Sequence, residues 1–143
     1  MPLIVEVNLL AVLVAAVASM VIGFLWYSQF LFGKQWMALS GLDEKKMKGM
    51  KMGANKAYLF SFIGALVMAD VLAHASVFSA YYFSELPKLT AYLMTSFWSW
   101  LGFVMPVQAG MVLFGDKPFR LFLLNTGYQL VSLIVMGLVL ALM

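Results

Sequence analysis

The sequence predicts an all-α membrane protein, a bundle of four transmembrane helices, and three observations carry that expectation. Of 143 residues, 64% are apolar and only 10% are charged, far from the composition of soluble domains. The apolar residues gather into four segments, each long enough for the roughly 20 residues that a bilayer-crossing helix needs. Such segments are too long for transmembrane strands, and only a helix satisfies its own backbone in lipid. Residues 1–143 therefore form a single integral membrane domain.

The first helix is expected over Asn8 to Phe32. Its AVLVAAVASM run resembles a secretory signal, but no Lys or Arg precedes it, Glu6 has the wrong sign and the apolar run continues past any cleavage point. Ala11, Ala15, Ser19 and Gly23 recur every fourth residue along it. The polar stretch GLDEKKMKGMKMGANK, residues 41 to 56, follows. Met47, Met50 and Met52 are soft donors of the type that bind Cu(I). The plainer reading is a basic surface segment that meets anionic lipid and dips its methionines into the interface.

The second helix, Ala57 to Phe83, repeats the small-residue stripe at Ala57, Ser61, Ala65, Ala69 and Ala73. Stripes of this kind let helix backbones approach, so helices 1 and 2 are expected to form a tight antiparallel hairpin. The third helix, Thr90 to Phe114, contains Pro106, which removes a hydrogen bond between Gly102 and Gly110 and should kink it. TSFWSW at 95 to 100 adds bulky aromatics suited to a partner, in keeping with a homo-oligomer. The fourth helix runs from Phe119 to Leu142.

Basic residues set the orientation. Loops 1–2 and 3–4 share one side and hold Lys34, Lys45, Lys46, Lys48, Lys51, Lys56, Lys117 and Arg120, whereas the other side holds only Lys88. The positive-inside rule then puts those loops in the cytoplasm and both termini outside. A repeat is also visible: LFGK at 31–34 echoes LFGD at 113–116, and NKAY at 55–58 echoes NTGY at 125–128. A duplication of this order would be parallel, about an axis along the membrane normal.

GFLWYSQFLFGKQWMALSGL at 23–42, NKAYLFSFIGALVMADVLAH at 55–74 and LFLLNTGYQLVSLIVMG at 121–137 together resemble a bacterial family, the domain of unknown function 1761. Gln29 stands where that family tends to have proline after WYS. The resemblance implies a small, four-helix protein of the bacterial inner membrane and supplies no activity, catalytic residue or cofactor.

Two constellations are candidates for chemistry. Asp70 and the single histidine, His74, lie at i and i+4 on one face, ~21 and ~27 Å along the helix from Lys56. They suit proton or cation handling, because an acid and an imidazole in an apolar setting exchange a proton near neutrality. The structural alternative is a contact of His74 with Glu6 or Glu85. The second constellation is an inner polar cluster of Ser28, Gln29, Gln108, Asn125 and Gln129. Gln108 lies ~12 Å before Asp116 and Gln129 ~13 Å after Arg120, so their depths match. This cluster reads either as a polar vestibule or as interhelical glue.

No enzyme is expected. Ser76, His74 and Asp70 have the residue types of a triad, but one helix cannot aim all three at a carbonyl. One His with one Asp is too few for zinc, a haem shared by two His74 side chains is remote, and there are no cysteines, so no metal or cofactor is expected. Nucleic acid is not implied. Two functions stay open: oligomeric transport or permeation of a proton or small solute, and a non-catalytic membrane scaffold or accessory subunit.

Overall fold

The computed structural model describes residues 5–49 and 53–143, except the side chains of Glu44 and Met47. Over these residues the chain is helical, without strands: α1 (Leu9–Trp26), α2 (Gly33–Ser40), α3 (Glu44–Lys48), α4 (Ala54–Tyr82), α5 (Lys88–Ser99), a π-helical turn (Trp100–Val104), α6 (Met105–Phe114) and α7 (Phe119–Leu142). Four helical runs are long and apolar enough to cross a membrane: α1, α4, the continuous run Lys88–Phe114, and α7. Met50 and Met52, two of the three methionines weighed above, lie outside the described residues.

Asn8 starts α1 by accepting hydrogen bonds from the Leu10 and Ala11 N–H groups, donors that a helix start leaves unpaired. The helix ends at Trp26, not at Phe32 as expected from hydropathy. Residues 27–32 turn instead, tied by Phe32 N–H to Trp26 O at 3.0 Å and Gly33 N–H to Ser28 O at 2.9 Å. Gly33 makes this possible: a Cβ there would press against the carbonyls of Tyr27 and Ser28. The chain thus breaks with Gln29, not a proline, in the turn, and α2 follows as a short helix of its own, ending at Gly41 with φ 71°.

The kink expected at Pro106 takes a specific form. Pro106 has no N–H to donate, and the preceding turn widens to π-helical spacing before α6 resumes. The second helix begins at Ala54, three residues earlier than expected, and the third at Lys88.

α7 is the hub, packing against α1, α4, α5 and α6. Ser19 and Ser132 share a buried hydrogen bond of 2.7 Å between α1 and α7. Two indoles grip the α7 backbone: Trp26 Nε1 donates to Leu124 O at 3.1 Å and Trp100 Nε1 to Thr126 O at 2.9 Å. α1 and α4 do pack together, and Ala11, Ala15, Ser19, Ala65, Ala69 and Ala73 are buried as the small stripes required. Ala57 and Ser61 are not buried. The core therefore occupies the end near the termini and the middle of the bundle, while the lysine-rich end holds cavities of about 630 and 620 Å³.

The proposed repeat is matched unevenly. Asn55 sits in the first turn of α4 and Asn125 in the second turn of α7. α1 and α4 are joined through α2 and α3, whereas four residues join α6 to α7.

Candidate functional site

At the lysine-rich end, the turn after α1 joins α2, α4, α6 and α7 around a cavity of about 630 Å³. Small-molecule sites run at roughly 300–1,000 Å³. Four of the five residues of the inner polar cluster line it: Gln29 from the turn, Gln108 from α6, and Asn125 and Gln129 one turn apart on α7. The shared depth of Gln108 and Gln129 is what brings helices 3 and 4 to the same space. Ser28 does not line it, because its hydroxyl donates to Leu25 O at 2.7 Å and caps the end of α1.

Aromatic residues complete the wall. Tyr27, Tyr58, Tyr128 and Trp36 line the same cavity, and the three tyrosines also line a second cavity of about 380 Å³ with Met20, Gly23, Phe24 and Ser61. The tyrosines thus form the partition between two spaces. Tyr27 packs edge-on to Trp36 at 5.6 Å and to Tyr128 at 5.3 Å. Its hydroxyl donates to Asn125 Oδ1 at 2.8 Å, which leaves the Asn125 NH₂ free to donate. Tyr128 passes so close to Gly23 that a Cβ there would fall 3.0 Å from its oxygen, and its hydroxyl donates to Ser19 O at 3.3 Å.

The tyrosines were not singled out as site residues from sequence. Tyr58 enters the sequence reading only within the NKAY motif, and Tyr27 and Tyr128 only within WYS and NTGY. The spacing Asn125, Tyr128, Gln129 was the available signal, since positions i, i+3 and i+4 share a helix face.

Among the described residues, no Asp, Glu, Lys, Arg or His lines the larger cavity. Its chemistry consists of amides, which both donate and accept, phenol hydroxyls and flat aromatic surfaces. Such a wall can both donate hydrogen bonds to a solute and accept them from it. It offers an ion no countercharge for the water lost.

Asp70 and His74 lie elsewhere. Tyr58, the α4 residue at the cavity, is twelve residues before Asp70, ~18 Å along the helix. The two side chains do share a face, with His74 Nδ1 3.7 Å from Asp70 Oδ2. That is too long for a hydrogen bond. Nδ1 instead lies 2.8 Å from the main-chain oxygen of Asp70. The His74 side chain is 43% exposed and that of Asp70 46%, so the pair sits on a half-exposed side of α4, away from the buried Ala69 and Ala73. Met68 is the midpoint of α4, so Asp70 is ~3 Å beyond it and His74 ~9 Å. Among the described residues no ion pair joins His74 to Glu6 or Glu85; Glu6 lines a small cavity of about 120 Å³ with Ala73, Lys88 and Tyr92.

A family model described as "Protein of unknown function (DUF1761)" matches residues 10–141, and the chain belongs to that family. No curated protein and no solved structure matches it.

Proposed function

Within a family that carries no assigned activity, we propose that this chain is an integral membrane protein that binds a small uncharged, hydrogen-bonding solute and passes it across the bilayer. The observation that carries the reading is the neutral wall of the 630 Å³ cavity: Gln29, Gln108, Asn125, Gln129 and three tyrosines, with no Asp, Glu, Lys, Arg or His among the described residues that line it. Intramembrane cavities lined by fixed polar groups are where transported solutes bind. The second cavity behind the tyrosines supports a path that continues into the bundle.

The lysines of the α1–α4 connection and the α6–α7 turn favour a cytoplasmic position for this end, with both termini outside in a bacterial inner membrane. Lys45, Lys46 and Lys48 then lie against anionic headgroups. Asp70 and His74 stand apart from the solute cavity, so this reading gives the pair no part in binding the solute. Their outward exposure favours a second reading, an accessory or scaffold role in which the helix face docks a partner.

The test is stopped-flow light scattering of proteoliposomes challenged with urea, xylose or uracil, beside dye-reported proton and potassium flux. Faster reswelling with at least one neutral solute, slowed by Asn125→Leu and Gln129→Leu, is expected, without proton or potassium flux. Reswelling no faster than in protein-free vesicles for all three solutes would overturn transport and leave the scaffold.

A further inference from the structure

We propose that the outward face of α4 is an interface with a second copy of this chain, in which Asp70 of each copy pairs with the partner's His74. This inference rests on the membrane reading of the fold and is independent of the solute cavity. Around the pair the face is apolar: Ile63, Val67, Val71 and Phe78 are exposed. Exposed apolar side chains on a membrane helix need only lipid. A half-exposed carboxyl and imidazole close to the helix midpoint need more, because lipid offers them neither water nor a hydrogen-bond partner.

The chain does not meet that need by itself. Among the described residues, no side-chain or backbone donor is hydrogen-bonded to the Asp70 carboxyl. With Nδ1 directed at the Asp70 main-chain oxygen, the other ring nitrogen of His74 is left for an outside partner.

The face is complementary to itself, which identifies the occupant. Rotation about an axis along the membrane normal keeps every residue at its own depth, so two α4 helices meet with Asp70 one turn, ~6 Å, from the partner's His74. These two side chains already approach to 3.7 Å across the same offset on their own helix. One symmetric contact therefore supplies an acid to both bases and a base to both acids. An unrelated helix would have to present the same two groups in the same order and spacing.

The chain has no cysteine, so cross-linking in membranes reads the interface directly. Val71→Cys should form a disulfide-linked dimer on mild oxidation, and Leu113→Cys, on an exposed part of α6, should not. Adding D70H or H74D alone to Val71→Cys should reduce the linked fraction at least about tenfold, since each variant meets only its own kind across the axis. Co-expressing the D70H and H74D chains should restore it, because each then supplies the group the other lacks. Native single variants with undiminished cross-linking would overturn the proposal. So would loss without restoration in the mixed pair when both chains keep their tryptophan fluorescence. A Val71→Cys chain that cross-links no more than Leu113→Cys would also sink it, whatever the solute assays give.

Discussion

Asn125 and Asp70 are both polar residues inside apolar helices, but they are surrounded differently. Asn125 is held by the Tyr27 hydroxyl at 2.8 Å and faces a cavity built by five parts of the chain. Asp70 has His74 beside it at 3.7 Å and lies on a half-exposed side of α4. A neutral amide is satisfied by one or two hydrogen bonds, which a single small bundle can supply. An acid and an imidazole near mid-helix ask for more, because lipid offers neither of them a hydrogen-bond partner. The comparison teaches that these two polar groups sort by chemistry: the amides line an inner cavity, and the acid and imidazole lie on a half-exposed face of α4.

The largest effect that separates the two regions is expected from Asp70→Leu. Removing a carboxylate from an apolar helix centre should ease insertion of α4 by about 2.5–3.5 kcal/mol in a glycosylation-based insertion assay. The same change should lower the dimer fraction and leave solute reswelling by each chain intact. A fall in insertion would show that Asp70 is satisfied within its own chain.

Gly33→Ala acts on the opposite region. Its Cβ would push on the carbonyls of Tyr27 and Ser28, so α2 should shift at a cost of about 1–3 kcal/mol, read as a lower thermal midpoint in detergent. Solute reswelling should fall, with Val71→Cys cross-linking unchanged. Equal loss of both would mean the two regions are coupled.

Tyr27→Phe is a finer probe. It removes the bond to Asn125 and should cost about 0.6 kcal/mol of stability, the average for polar contacts between membrane helices, while altering which neutral solutes pass. Ser76→Ala is the smallest. Ser76 lies two residues past His74 on the buried face, and its hydroxyl is buried with no hydrogen-bond partner among the described residues. The change should be neutral or stabilising by about 0.5 kcal/mol in the same thermal assay.

The four apolar runs were legible because lipid solvent imposes length and composition on a spanning helix. The end of α1 was not, because WYSQFLFGK stays aromatic and apolar while its backbone turns. That turn depends on Gly33 fitting beside two carbonyls and on the Ser28 cap, and hydropathy records neither. The amide cluster was legible from depth alone, since 1.5 Å per residue puts Gln108 and Gln129 level. The tyrosines were missed because aromatics near a helix end read equally well as interface anchors. The outward direction of Asp70 was hidden as well. It follows Ala69, which is fully buried, and the sequence does not say how far the buried arc extends around α4.

The most direct test puts the same reagent to both regions. In this cysteine-free chain, Gln129→Cys and His74→Cys are each treated in membranes with a small water-soluble methanethiosulfonate. Rapid labelling at position 129 with none at position 74 is the expected result, if Gln129 faces a cavity open to water and His74 is covered by a second copy of the chain. Labelling at 74 with protection at 129 would contradict the assignment of the two regions.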